Sequence, residues 1–364
     1  MGRAAVVFGG PSPEHDVSVL TGLRASRALS DAGHDPIALY WGKVGDWYSV
    51  SPVLEAGDFA EGPPRKAQEL TFTVGPGGGF SARKRRVEFS VVVNCTHGGP
   101  GEDGTLQAAF DLSGIRATGP TVAGAALGMD KYAFGGAIAA AGLRTLPRAL
   151  LAVDGRPMPV EIPPPYIVKP RFGGSSIGIE VVEGLEDAAA LVRSSPHLRD
   201  GAVLEPFLDG AHDVNIGIRT FPELQLSAIE RPLRAGEAGI LDYRQKYLRS
   251  EGLEGAPREL PADIPRGLAD EIRRSAATVA EVALVRSVAR LDFLMRGDEV
   301  WVNELNTIPG SLASYLWVEP KVPFEQLLLD MIAEAEKEPP RAFTTAGSDG
   351  TLLRTAESIA AKLA

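Results

Sequence analysis

The sequence predicts an α/β fold of two or three domains that opens on a parallel-sheet α/β domain, and three observations carry that reading. The chain begins with an unbroken apolar run, Ala4-Ala5-Val6-Val7-Phe8. It then crosses the polar loop Pro11-Ser12-Pro13-Glu14 and enters an apolar-periodic segment from Val17 to Leu29, giving a strand–loop–helix unit. A second apolar run, Phe89 to Cys95, ends in the loop Thr96-His97-Gly98-Gly99-Pro100-Gly101; ligands bind at such loops, at the carboxyl ends of parallel strands. The length, 364 residues, exceeds one typical domain and allows a sizeable core.

The remaining elements come in order along the chain. A polar, Pro- and Gly-rich stretch from Ser51 to Gly79 weakens the pattern before the strand at Phe89. Gly119 to Arg148 is rich in Ala and reads as a pair of helical segments, which puts a domain boundary near Gly119. Pro163-Pro164-Pro165 leads into the strand Tyr166-Ile167-Val168-Lys169-Pro170. A third segment starts near Glu205 and holds most of the remaining strands, with helices from about Asp263 to Ala283 and from Phe324 to Lys337. The tail after Pro340 is rich in small residues, and Glu357 to Ala364 either closes as a short helix or frays. The expected domains are therefore 1–119, 120–204 and 205–340, with a tail over 341–364 and no internal repeat.

Composition excludes several classes. Hydrophobic content of 44% and charged content of 23% are ordinary for a soluble globular protein, and a net charge of −10 argues against nucleic acid or an anionic membrane as partner. Any phosphate must then be held locally. No run approaches the ~18 apolar residues of a membrane span, and the N-terminus enters a strand at once instead of a signal peptide. The single Cys95 cannot form an internal disulfide, which fits a reducing cytoplasm. Beside His97 it admits a Cys–His nucleophile, but the run Val91-Val92-Val93 before it favours a buried small hydrophobe.

The densest chemistry lies in Ser287 to Ser311, which reads as two strands. Alternate residues of a strand share a face, so Arg290 pairs with Asp292 on one strand and Glu304 with Asn306 on the other. An odd-numbered link closed by a left-handed Gly297 would put these four and Val302 on one face; an even link would separate the two pairs. Two carboxylates and an amide oxygen suit Mg²⁺, which binds few protein groups together with substrate phosphates. The bland alternative is a solvated hairpin face. In the middle segment, Gly173-Gly174-Ser175-Ser176 sits between two strands and can expose N–H groups to an anion, as can a plain hairpin turn. Lys169 and Lys131 lean toward burial and could converge on phosphates. Glu205, followed by Pro206-Phe207-Leu208, reads either as a linker that hydrogen-bonds adenine or as a salt-bridged strand end.

Seven motifs together resemble the D-alanine–D-alanine ligases of the ATP-grasp superfamily, in order and approximate spacing. They are Val7 to Ser18, His97 to Thr105, Gly128 to Lys131, Val168 to Gly178, Leu241 to Tyr247, Arg290 to Asp292, and Asn303 to Gly310. The resemblance covers about residues 4 to 335. It implies an α+β ATP-grasp architecture, with two ATP-grasp subdomains after the N-terminal domain. It also implies ATP and Mg²⁺ or Mn²⁺ as cofactors, a cytoplasmic homodimer, and a reaction in which an acyl phosphate of one D-amino acid is attacked by the amine of a second.

Residue by residue, the resemblance implies that Lys131, Lys169 and Lys246 contact ATP phosphates under a loop carrying Ser175 and Ser176. Glu205 meets adenine with Phe207 and Leu208 of the same linker, and Asp292, Glu304 and Asn306 hold the metal. Arg290 and the Gly310 N–H stabilise the oxyanion. Glu14 receives the first substrate's ammonium, linked to the closing loop through Ser175 and Tyr247, with His97 nearby. A helix-start carboxylate is the bland alternative for Glu14, and core packing for Tyr247.

Two departures from the family pattern stand out. His212 occupies the position of the family's acidic ribose contact, with Asp213 beside it, and Tyr315 occupies the ungapped position of the Ser that binds the acceptor's carboxylate, with Ser314 one residue before. The expected function is D-alanyl-D-alanine formation for peptidoglycan precursors. The alternatives are a ligase with another amino-acid or hydroxy-acid acceptor, a carboxylate kinase, and a nucleotide-binding regulator.

Overall fold

Three β-sheets succeed one another along the chain, and connection lengths decide how each is built. The computed structural model describes residues 2–156, 161–233, 257–356 and 358. The first sheet comprises β1 (Ala4–Gly9), β2 (Ile37–Trp41), β3 (Trp47–Val50), β4 (Gln68–Thr73), β5 (Gly79–Ala82), β6 (Arg85–Arg86) and β7 (Val91–Asn94), in the order β6-β5-β4-β3-β2-β1-β7. Helices α1 (His15–Asp31), α2 (Gly99–Glu102) and α3 (Thr105–Ser113) accompany it; α4 (Val122–Met129) and α5 (Lys131–Ala140) follow in the chain, and Phe134 and Ile138 of α5 lie in the core of the third sheet. Only β2, β1 and β7 run parallel, because α1 supplies the crossover between β1 and β2. The short links from β2 to β3, β4 to β5 and β5 to β6 can only turn back, and the longer 51–67 link between β3 and β4 also returns antiparallel, so β3 to β6 form an antiparallel meander. The expected parallel sheet is thus confined to β2, β1 and β7, and the Ser51–Gly79 stretch contains the strand β4, set between Pro- and Gly-rich segments that hide it.

Strand β1 is buried along its whole length, as its unbroken apolar run requires. Val6 and Phe8 share a core with Leu23 and Leu29 of α1, while Ala5 and Val7 face Leu106 and Phe110 of α3. Gly22 lets α1 approach closely, since a Cβ there would lie 2.3 Å from the Phe8 side chain.

The second sheet has the order β10-β9-β11-β8, from β8 (Ala149–Leu151), β9 (Tyr166–Pro170), β10 (Glu180–Val182) and β11 (Ala202–Pro206), with α6 (Leu185–Ser194) packed beside it. Glu205 therefore belongs to this sheet. The third has the order β14-β13-β12-β15-β16, from β12 (His212–Arg219), β13 (Gln225–Pro232), β14 (Arg258–Glu259), β15 (Val288–Arg296) and β16 (Glu299–Asn306). Behind it lies α7 (Arg266–Val282), whose Leu268, Ile272, Ala276 and Val279 recur at helical spacing and pack on Val214, Ile216 and Ile218. Each of the Leu, Ile and Val side chains contributes about 1.5–3 kcal/mol by leaving water. The chain closes with α8 (Phe324–Lys337) and a short α9 (Thr351–Arg354); α8 returns to the first sheet, where Leu327, Leu328 and Met331 join the core of β1. The expected closing helix at Glu357 to Ala364 lies, apart from Ser358, outside the described residues.

Candidate active site

The link between β15 and β16 is even, only Gly297 and Asp298, yet the two polar pairs share a face. The register runs Arg296↔Glu299, Leu294↔Trp301 and Phe293↔Val302, then shifts, so that Asp292 opposes Glu304 and Arg290 opposes Asn306. A bulge at Asn303 inserts the extra residue that reverses side-chain parity. Val302, expected on the polar face, instead opposes Phe293 in the core. Arg290 forks Asp292 with two bonds of 2.7 Å, and Asn306 Nδ2 donates to Asp292 Oδ2 at 3.0 Å. Among the described residues no three His, Cys, Asp or Glu side chains form a metal cluster. The third hard oxygen of this set is the Asn306 amide's.

Across from this face stand the lysines. Lys131, the first residue of α5, comes directly after the helix cap Asp130, whose carboxylate accepts from Tyr132 N and Ala133 N. Its Nζ donates to the Gly173 carbonyl and lies 3.7 Å from Glu304 Oε2, so the glycine-rich loop and the acidic face meet at one cation. Lys169 Nζ donates to Glu205 Oε2 at 2.7 Å and to Asn303 Oδ1 at 3.1 Å. Glu205 is fully buried, and its Oε1 lies 2.8 Å from Arg148 Nε in an ion pair whose N–H is not aimed along the contact. Burial opposes ionisation of Glu205, but Lys169 and Arg148 outweigh it and hold the carboxyl below its usual range. The salt-bridged strand end is thus the arrangement of the Glu205 side chain. Phe207, whose N–H bonds the Pro165 carbonyl, and Leu208 come directly after β11.

Glu14 sits just before α1, where no side-chain cap bond forms. Ser175, at φ 55 in the left-handed region, donates its hydroxyl to Glu14 Oε1, and Ser176 is next at φ 57. His97 is buried and joins two elements: Nδ1 bonds the Ile308 carbonyl at 2.6 Å and Nε2 contacts Thr21 Oγ1 at 2.9 Å. Burial pushes its pKa down to about 4, so it is neutral near pH 7, with the Nδ1–H tautomer set by the carbonyl. Cys95 is fully buried with its thiol pKa pushed up by burial, which makes it the small hydrophobe and removes the Cys–His nucleophile.

The turn after Asn306 carries Gly310, then Ser311, Leu312 and Ala313, all three left-handed at φ 50–53. Ser311 N donates to Thr21 Oγ1 at 3.2 Å, which ties this turn to α1. Ser314 and Tyr315 diverge. Ser314 Oγ accepts from Arg24 of α1 at 3.0 Å, whereas the Tyr315 ring lies under the Arg258 guanidinium, 4.5 Å from its centroid. Burial raises the Tyr315 pKa, with Glu230, Arg290, Asp292 and Arg258 as its charged surroundings. Register separates the ribose candidates: Asp213 shares a face with Asn215, which opposes Asp292, while His212 opposes Met295 and shares the core face with Val214. Lys246 and Tyr247 lie outside the described residues.

Sequence reasoning missed Arg148, Asn303 and Glu102. Arg148 and Asn303 gave no signal, because one closes a stretch read as helical, though it stands directly before β8, and the other lies on the wrong strand parity. Glu102 is buried between loops, and only its place in Gly101-Glu102-Asp103-Gly104 marked it.

Comparisons with known proteins identify the family. Family models described as D-ala D-ala ligase N-terminus and D-ala D-ala ligase C-terminus match residues 3–120 and 160–333. A D-alanine--D-alanine ligase of Prochlorococcus marinus is 32% identical over 360 residues, covering 91% of this chain and 98% of that protein. One of Mycobacterium ulcerans is 29% identical, with 92% and 95% covered. Among solved structures, the D-alanyl-alanine synthetase A of Vibrio cholerae superposes with a TM-score of 0.75 at 19% identity, covering 92% of this chain and 98% of that one. The D-alanine-D-alanine ligase of Coxiella burnetii gives 0.74 at 21%, with 99% of each covered; both are likenesses of fold. Such likeness along nine-tenths of the chain, with Arg290, Asp292, Glu304 and Asn306 gathered on one face, shows that the protein belongs to the D-alanine–D-alanine ligase family of ATP-dependent, ATP-grasp ligases.

Proposed function

We propose that the protein joins two D-alanines into the dipeptide used for peptidoglycan precursors. A carboxylate oxygen of the first D-alanine attacks the γ-phosphorus of ATP and ADP leaves. The amine of the second then attacks the acyl carbon, phosphate departs with the bonding pair, and the amine loses a proton. The observation that carries this reading is the single polar face built by the Asn303 bulge, opposite a glycine-rich loop held through Lys131.

Asp292, Glu304 and Asn306 are a hard oxygen set fitted to Mg²⁺ or Mn²⁺, which when bound offsets charge on the phosphoryl oxygens. Lys131, Lys169 and Lys246 neutralise the phosphates, and Ser175 and Ser176 close over them. Arg290 is released from its fork on Asp292 to meet the oxyanion with the Gly310 N–H. Glu14, oriented by Ser175, binds the first ammonium, with His97 shaping the pocket wall; the link expected of Tyr247 rests on the family resemblance. The Glu205 strand end, Phe207 and Leu208 form the adenine edge. Register favours Asp213 over His212 for the ribose hydroxyls.

We assign three domains, with one boundary near Gly119 and the next after β11, in a cytoplasmic homodimer. Among the described residues no helix is long and apolar enough to cross a membrane. A second reading, a ligase with a larger or different acceptor, is favoured by one feature: Tyr315 under Arg258 at the acceptor position. ADP release across D- and L-amino acids, singly and in pairs, with products identified by mass spectrometry, tests both. D-alanyl-D-alanine as the main product supports the first reading and a mixed product the second; ADP without dipeptide overturns both.

A further inference from the structure

Glu102 has no part in the chemistry above, although its carboxylate holds two loops of the site at once. Oε2 accepts the Gly98 N–H at 2.9 Å, while Oε1 accepts the Ile308 N–H at 2.9 Å and the Thr307 hydroxyl at 3.3 Å. The other polar group of Ile308, its carbonyl, is bonded by His97 Nδ1 at 2.6 Å. Ile308 stands midway between Asn306 and Gly310, so the turn carrying the metal-side amide and the oxyanion N–H is gripped from both sides by the loop after β7. Gly98, in turn, separates Glu102 from Glu14: a Cβ on Gly98, at φ 62, would lie 2.3 Å from Glu14 Oε2.

We propose that Glu102 is a positioning residue: by accepting from Gly98 and Ile308 together, its carboxylate fixes the wall of the first-substrate pocket and the Asn306–Gly310 turn in one relative setting. This rests on the roles of Glu14 and Gly310 given above. The geometry demands an acceptor on both oxygens. Gln at this position would turn an NH₂ toward one of the two N–H donors and release one loop. Asp would be one methylene too short to reach both.

Charge makes the device sensitive to the substrate. Burial and the facing charge of Glu14 raise the Glu102 pKa to about 7, against the bonds from Gly98, Ile308 and Thr307, which lower it. The surrounding groups are Glu14 from the loop before α1, Thr307 and Ile308 from the turn after β16, and His97, kept neutral on its own loop with Arg290 beyond it. An ammonium at Glu14 cancels the repulsion and favours the ionised, gripping form. Without substrate the grip weakens as pH falls through about 7.

The test compares wild-type protein with Glu102→Gln, using ATP and D-alanine across mildly acidic to mildly alkaline pH, alongside amide hydrogen exchange of the substrate-free chain. The expected result is a wild-type kcat/KM for D-alanine that rises along an acid limb near pH 7, the limb of the substrate-free protein. In the variant that limb is absent, kcat is lower by about tenfold or more, and KM for ATP is unchanged within about twofold. The Ile308 amide should exchange about tenfold faster in the variant, while amides within β15 and β16 keep their protection. Should Glu102→Gln fail to fold, Glu102→Asp is read in the same way. Retention of the wild-type acid limb and kcat, or unchanged exchange at Ile308, overturns the proposal. If the wild type forms no dipeptide, the ligase reading fails; the exchange measurement needs no turnover and still decides whether Glu102 grips Ile308.

Discussion

Asp292 stands directly across from Glu304, although the two-residue turn at Gly297-Asp298 would pair it with Asn303. The bulge residue Asn303 also reaches the second sheet, where its Oδ1 meets Lys169 and its carbonyl accepts from Arg148 at 2.5 Å. One inserted residue therefore assembles the acidic face and joins the third sheet to the second.

Substitutions at the acidic pair should separate catalysis from stability. Asp292→Asn and Glu304→Gln are each expected to lower Mg²⁺-dependent ADP formation by at least about a hundredfold. Asp292→Asn should also lose about 1.5–3 kcal/mol of stability, because Arg290 loses its charged partner. ADP assays with urea unfolding check both, and near-normal turnover in either variant refutes the metal-side assignment.

Glu14→Gln should raise KM for the first D-amino acid by about tenfold or more and leave KM for ATP within about twofold. The amide keeps the shape that Ser175 contacts but loses the charge matched to an ammonium. Initial-rate measurements with each substrate varied decide it; an unchanged amino-acid dependence would return Glu14 to a helix-start role.

Removing the Glu205 charge should be costly at neutral pH and less so in acid. Glu205→Gln leaves Lys169 and Arg148 buried without their counter-charge, an expected loss of about 3–5 kcal/mol. The Glu205 pKa is lowered in the folded chain, so its stabilisation is full above the unfolded carboxyl range and fades as pH falls through the folded-state value. Urea titrations of both proteins at neutral and acidic pH should show the gap closing; a gap that is constant with pH would count against the ion pairs.

The acceptor position is expected to be Tyr315. Tyr315→Ser should change which second substrates are used, because its ring fills space beside Arg290 and Arg258. Ser314→Ala, which removes the acceptor of an Arg24 bond, should lower stability by about 1 kcal/mol and leave product identity unchanged. Mass spectrometry of products from mixed amino acids, with thermal unfolding, separates the two; an altered product from Ser314→Ala reverses the assignment.

The sequence alone determined the features set by local periodicity and residue chemistry. The buried β1 run, the amphipathic α1, α7 and α8, the glycine-rich loop and the hard-oxygen residues of β15 and β16 were all readable, because each depends on neighbours within a few positions. The antiparallel meander of the first sheet was not, since its strands are short and the Pro and Gly around β4 mask it. Tertiary structure decided the rest. A bulge is a property of a strand pair, so one strand read singly put Val302 on the polar face. Partners such as Glu205 with Arg148, or Glu102 with Ile308, lie 57 and 206 residues apart in sequence and are brought together only when the sheets and their loops pack. Glu205 reads as an exposed ligand or a buried counter-ion with equal ease until the fold supplies Lys169 and Arg148, because the ionisation of a buried carboxylate is fixed by the charges packed around it.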